Sequence, residues 1–148
     1  MTAPLLEHAA LLESLIHVKI PTPIPGSLAA IRLLLIEDNP DDALLLRQLL
    51  RNAPIPFEIE EAARLAGGLE LLNHGGIDLV MSDLSLPDGD GIDTFRRLAA
   101  HPARVPIIVL SGLDDEAMAL RTVEEGAQDY LVKGSFDQDL LVRSVRCF

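Results

Sequence analysis

The sequence predicts an α/β protein: a doubly wound, five-stranded parallel sheet with helices on both faces. That expectation rests on three features. Of the 148 residues, 49% are hydrophobic, enough for one compact domain with a substantial core. Beyond the first thirty residues, an apolar run followed by a helical stretch occurs five times. Three of the five runs are nearly free of charge, as strands buried on both faces must be.

The elements follow in order. Leu5, Ala9, Leu12 and Ile16 recur at helical spacing, so residues 4–18 are expected to form an amphipathic helix, read as a packing arm, a poorly ordered tail or a dimerising element. Residues 21–26, Pro-Thr-Pro-Ile-Pro-Gly, cannot continue a helix and read as a stiff linker. Residues 1–26 are therefore separated from a domain over residues 31–148. Its five runs are Ile31–Ile36, Phe57–Ala62, Ile77–Met81, Val105–Leu110 and Asp129–Val132. The second alternates polar and apolar residues, as an edge strand does.

Helix signals fall between the runs. Asn39-Pro40 places a capping residue before a proline at the first helical position, ahead of Leu44 to Leu50. Ile92, Phe95 and Ala99 mark an inward helix face, and Ser135 with Gln138 suits a capping box before Leu140, Leu141 and Val145. Gly75-Gly76 and Gly126 read as helix stops. With short connections and this length, the expected strand order is 2-1-3-4-5, the flavodoxin-like (βα)5 arrangement with an N-terminal helical extension.

Composition narrows the function. Twelve basic residues against 23 acidic ones give a net charge of −11, which argues against direct binding of nucleic acid. The single cysteine, Cys147, forms no disulfide framework, and no apolar run approaches the length of a membrane span. Residues 1–18 carry Glu7 and Glu13 and lack the basic start of a secretory signal, so a cytoplasmic location is expected. His8, His17, His74 and His101 show no spacing suited to metal ligation. The chain stops at Arg146-Cys147-Phe148, inside or just after its last helix, which is expected either of a piece of a longer protein or of a free-standing regulator.

Eleven of the 23 acids cluster in three stretches: Glu37 to Asp42, Asp83 to Asp93, and Asp114 to Glu116. Acids favour helix starts, and Asp114 to Glu116 reads simply as one. The other two stretches begin where buried strands end. In doubly wound sheets the site lies beyond the carboxyl ends of the strands. There the sequence offers Glu37 and Asp38 after the first strand, Asp83 after the third, Ser111 after the fourth and Lys133 after the fifth. Lys19 and Lys133 are the only lysines among the 12 basic residues, which makes a lysine at this one strand end notable. Three carboxylates crowded together call for a divalent cation, and an oxygen-only donor set suits Mg²⁺ or Mn²⁺. A carboxylate can also attack phosphorus, giving an acyl phosphate whose formation depends on positioned positive charge.

The loop Asp83-Leu-Ser-Leu-Pro-Asp-Gly-Asp-Gly-Ile-Asp93 fits neither of two other templates. A calcium loop starting at Asp88 would need an acid or Asn where Ile92 stands. A phosphatase of the haloacid-dehalogenase type would need its nucleophile directly after a buried strand, whereas Asp88 follows Pro87.

Together these residues resemble the receiver domain of two-component response regulators. The motifs are Leu-Leu-Leu-Ile-Glu-Asp-Asn-Pro, Asp-Leu-Ser-Leu-Pro-Asp-Gly-Asp-Gly, Ile-Ile-Val-Leu-Ser-Gly and Asp-Tyr-Leu-Val-Lys-Gly, spread in order over residues 31–148. The resemblance implies that Asp83 accepts a phosphoryl group from a histidine kinase or a histidine phosphotransfer protein. It implies that Glu37, Asp38 and Asp83, with the Ser85 backbone carbonyl, hold Mg²⁺ (or Mn²⁺). Lys133 would pair with the carboxylate and then the phosphoryl oxygens, and Ser111 would hydrogen-bond the new group. Tyr130 would swing inward with Ser111, altering the face of helix four, strand five and helix five that controls a partner, an output domain or a homodimer. Such a domain turns over no external substrate.

This sequence departs from the family pattern in places. Gly134 follows the lysine where many relatives carry proline, which puts the loop geometry in question. Leu113 cannot orient an attacking water, so the phosphoryl group is expected to persist. Two alternatives stay open: a degenerate receiver that only binds proteins, and a small aspartate-nucleophile phosphatase. The second would want an acid two residues after Asp83, where Ser85 stands.

Overall fold

The computed structural model describes residues 30–146. The expected N-terminal helix and linker of residues 1–26, together with Cys147, lie outside the described residues.

The charge-poor runs become strands and the periodic stretches become helices. In chain order these are β1 (Ile31–Ile36), α1 (Pro40–Arg51), β2 (Phe57–Ala62), α2 (Leu65–Asn73), β3 (Leu79–Asp83), α3 (Ile92–Ala99), β4 (Ile107–Ser111), α4 (Glu116–Glu124), β5 (Asp129–Val132) and α5 (Gln138–Arg146). A small hairpin, Ser85–Leu86 against Gly89–Asp90, lies between β3 and α3, and a 3₁₀ turn, Leu113–Asp115, precedes α4. The five main strands pair in parallel in the order β2-β1-β3-β4-β5, as expected.

Side chains that alternate along β1 divide the core in two. Ile31, Leu33 and Leu35 join Leu46, Leu50, Leu141 and Val145, so α1 and α5 cover that face. Leu34 and Ile36 join Leu65, Leu72, Phe95, Leu98 and Ala119, so α2, α3 and α4 cover the other. Every residue of β3 and β4 is buried, whereas no residue of β2 is, as suits an edge strand.

The structure corrects local expectations in five places. β3 begins at Leu79 rather than Ile77, because Asp78 accepts the Arg32 amide on its side chain, at 2.9 Å. β4 begins at Ile107 rather than Val105: Pro106 has no N–H to give to the ladder, although its carbonyl accepts from Val80 at 2.9 Å. At the other end, Asp83 and Ser111 are the last residues of their strands, not the first beyond them. The capping box at Ser135 does not form. Asp137 Oδ1 accepts the Leu140 N–H at 3.0 Å, while Gln138 turns to α1 and donates to the Leu49 carbonyl at 2.8 Å. The inward face of α3 is carried by Thr94, Phe95 and Leu98 rather than Ile92 and Ala99.

Elsewhere the local signals are realised. Asn39 caps α1 by accepting the N–H groups of Asp41 and Asp42 at 2.9 and 3.2 Å. Gly134 takes a φ of 83°, a conformation closed to proline.

Candidate functional site

Parallel pairing brings the carboxyl ends of β1, β3, β4 and β5 to one edge of the sheet. Glu37 extends the β1 ladder by donating its N–H to the Ala62 carbonyl at 3.0 Å. Its side chain turns inward, where Oε2 accepts the Asn39 N–H at 3.1 Å. Asp83 stands at the end of β3, buried to 4% exposure, and its Oδ1 accepts the Ser85 N–H at 3.0 Å. Asp38 is exposed. One carboxylate oxygen from each of Glu37, Asp38 and Asp83 lies within 4.8 Å of the others.

Lys133 reaches into this group from the end of β5. Its Nζ donates to Asp83 Oδ2 at 2.7 Å, to Asp42 Oδ2 at 3.0 Å and to Glu37 Oε1 at 3.1 Å. Burial disfavours the ammonium, but its hydrogen bonds to Asp83, Asp42 and Glu37 outweigh that and raise its pKa. Glu37 pays for the crowding: burial and the neighbouring Asp83 charge push it up to about 7, against the pull of Lys133. One ammonium does not fully offset the carboxylates around it.

The donor set fits a small hard cation. Ligands about 2.1 Å from Mg²⁺ stand up to about 4.2 Å apart across an octahedron, and the three carboxylate oxygens lie within 4.8 Å of one another. All three groups are carboxylates, the donors preferred by Mg²⁺ and Mn²⁺ over softer metals. Their spare negative charge is what such an ion would neutralise.

Ser111 closes the site on the β4 side. Its Oγ is buried and has no hydrogen-bond partner. Buried hydroxyls nearly always have one, which sets this group apart from the rest of the core. Tyr130 is not part of the cluster. Its hydroxyl donates to Glu116 Oε2 at 2.9 Å, on the outer side of α4 and β5, and that acceptor raises the phenol's pKa.

Asp42 is the residue that sequence reasoning missed. It lies in the first acid-rich stretch, but the pattern of strand ends points only to Glu37 and Asp38. The available signal was its offset of three residues from the Asn39 cap, which sets it in the first turn of α1 above the ends of β1 and β5. Asp88, set aside as a poor fit to other motifs, binds the start of α2: its carboxylate accepts the Leu65 and Ala66 N–H groups at 2.7 and 2.9 Å.

Comparison with known proteins agrees with this arrangement. The family model for the response regulator receiver domain matches residues 33–146. The two-component response regulator ARR2 of Arabidopsis thaliana is 31% identical over 75% of this chain, which spans 16% of that protein. The cell cycle transcriptional regulator CtrA of Caulobacter vibrioides is 31% identical over 76% of this chain, which spans 48% of it. The chain thus spans between a sixth and a half of these relatives. Among solved structures, a putative response regulator of Chloroflexus aurantiacus superposes with a TM-score of 0.71 at 30% identity, covering 80% of this chain and 96% of that one. The receiver domain of a sensor histidine kinase of Pseudomonas aeruginosa, solved with a magnesium ion coordinated in its active site cleft, gives 0.67 at 28% identity, covering 80% and 96%. With the fold, the order of its motifs and the family match in agreement, this chain belongs to the response regulator receiver domains.

Proposed function

We propose that this domain is a phosphorylation switch in which Asp83 accepts a phosphoryl group from a histidine kinase or a histidine phosphotransfer protein. The observation that carries the reading is the Lys133 ammonium, 2.7 Å from Asp83 Oδ2 and beside two further carboxylates. An Asp83 oxygen attacks phosphorus, the new O–P bond forms as the P–N bond to the donor imidazole breaks, and the imidazole leaves with the electron pair. Lys133 already touches the nucleophile and holds positive charge where phosphoryl oxygens gather. Ser111 gains in the phosphoryl group the acceptor that its hydroxyl lacks.

Glu37, Asp38 and Asp83, with the Ser85 carbonyl, would hold a divalent cation (Mg²⁺ or Mn²⁺), which supplies charge neutralisation for the transfer. The magnesium in the Pseudomonas relative supports that assignment. Phosphorylation replaces the single Asp83 carboxylate charge with about −1.5 to −2 on the phosphoryl oxygens of an already acidic site, so both cations are needed to hold it. Ser111 and Tyr130 then relay the change to the face of α4, β5 and α5, which contacts a partner, an output domain or a second copy of the chain. The domain turns over no metabolite. We place the protein in the cytoplasm. Among the described residues no helix is long and apolar enough to cross a membrane.

Incubation with Mg²⁺ and acetyl phosphate, followed by intact-mass measurement, tests this reading. One added phosphoryl group, absent in Asp83→Asn, is the expected result. No adduct in either protein would leave only a protein-binding module, and steady phosphate release from assorted monoesters would favour a phosphatase.

A further inference from the structure

The loop after Asp83 is fastened at its tip to a helix outside the carboxylate cluster. α2 begins without a cap of its own: Arg64 occupies the N-cap position in extended conformation, φ −138° and ψ 155°, and its side chain makes no capping bond. The cap comes from the far side of the loop. Asp88 Oδ1 accepts Leu65 N–H at 2.7 Å and Oδ2 accepts Ala66 N–H at 2.9 Å. Those two bonds, Ala66 foremost, hold the Asp88 carboxyl below the usual carboxylate range.

Gly89 records the same closeness independently. A Cβ there would stand 2.8 Å from Thr94 Oγ1 and 2.9 Å from Leu65 Cδ2, so the lack of a side chain lets the tip rest on the start of α2. The base of the hairpin faces the site. Ser85 pairs with Asp90 and Leu86 with Gly89, and the Ser85 N–H reaches Asp83 Oδ1. The Leu84 carbonyl accepts from Gly91 N–H at 3.0 Å and from Thr94 Oγ1 at 3.1 Å. A tip fixed at Asp88 therefore leaves the base little freedom.

We infer that Asp88 is a positioning residue for the Asp83 site: by capping α2 across the loop it clamps the hairpin and fixes the Ser85 backbone beside Asp83. The inference rests on the reading of Asp83 as phosphoacceptor. Its consequence is that Asp88 sets cation affinity and acyl-phosphate formation through Ser85, without touching either group. A purely structural cap would stabilise α2 and do nothing more.

Three variants separate these roles. Asp88→Ala removes both acceptors, Asp88→Asn keeps one acceptor oxygen, and Arg64→Ser with Asp88→Ala gives α2 a local cap while leaving the hairpin free. Melting temperature, Mg²⁺ affinity by calorimetry and beryllofluoride uptake are measured for each. Asp88→Ala is expected to weaken Mg²⁺ binding roughly tenfold, the scale usual for groups that orient metal ligands, and Asp88→Asn to fall between. The double variant should regain melting temperature while its Mg²⁺ affinity stays low. Recovery of both together, or an Asp88→Ala protein with unchanged affinity, overturns the inference. If the unaltered protein takes up neither Mg²⁺ nor beryllofluoride, the phosphoacceptor reading fails and the inference falls with it.

Discussion

Replacing Lys133 with alanine should destabilise the metal-free protein and, at the same time, tighten its hold on Mg²⁺. The ammonium is the group that faces Glu37, Asp42 and Asp83, whose side chains are 0%, 36% and 6% exposed, while the lysine side chain is itself 22% exposed. Removing one partner of a buried pair costs about 3–5 kcal/mol. The partial exposure of Lys133, and the ease with which Glu37 takes up a proton near neutrality, lower that to about 2–3 kcal/mol. For a domain of this size each kcal/mol is worth about 4 °C in melting temperature, so a drop of about 8–12 °C is expected in EDTA. The effect on the cation has the opposite sign. A divalent ion about 5 Å from an ammonium is repelled by about 1.7 kcal/mol even at the dielectric constant of water, so the variant should bind Mg²⁺ at least tenfold more tightly. By linkage the melting gap then narrows by about 1.4 kcal/mol per tenfold at saturating Mg²⁺. Thermal melts with EDTA or Mg²⁺, and calorimetric titration of the ion, measure both quantities. Lys133→Met, which keeps an apolar stem, separates charge from packing. Weaker Mg²⁺ binding in the variants, or an unchanged melt in EDTA, would refute the electrostatic account.

Other expectations follow from the same structure. Glu37, raised to about 7, binds its proton more tightly in the folded than in the unfolded state. Its contribution is therefore complete below about pH 4.5 and lost as pH rises through about 7, on the order of 3 kcal/mol at most. Mg²⁺ should accordingly stabilise the protein more at pH 7.5 than at pH 5, and equal stabilisation at both would count against the site. Leu33→Ala empties a fully buried position between β1 and the helices α1 and α5 and should cost about 2–5 kcal/mol in denaturant unfolding. Asn39→Ala, which deletes two capping bonds on α1, should cost about 1 kcal/mol. Leu113 is 71% exposed and has no group to position a water, so the phosphoryl group should last minutes or longer with Mg²⁺ at neutral pH; decay within seconds would show otherwise.

The parts legible in the sequence were those governed by short-range pattern. A charge-poor run of five or six residues has few options other than a strand covered on both faces, and such runs at Leu33–Ile36, Leu79–Met81 and Ile107–Leu110 are the most deeply buried parts of the sheet. Once the strands are parallel, their carboxyl ends share an edge, so Glu37, Asp38, Asp83, Ser111 and Lys133 could be placed together before any coordinates. Strand starts were less legible. A missing N–H at Pro106 and a side-chain acceptor at Asp78 override hydrophobicity over one or two residues, and the capping box at Ser135 lost to Asp137 for a similarly local reason.

What the sequence by itself determined, then, was which residues reach the site edge, because local pattern sets strands and parallel pairing sets their direction. Only the tertiary structure decided who touches whom there. Lys133 lies 50, 91 and 96 positions from Asp83, Asp42 and Glu37, and Asp88 lies 23 from Leu65. The Ser111 hydroxyl has no partner, and the Tyr130 hydroxyl meets Glu116, 14 positions away. Hydrogen bonds act over about 3 Å, so such pairings exist only after distant segments have been packed side by side. No pattern of near neighbours along the chain encodes that closeness.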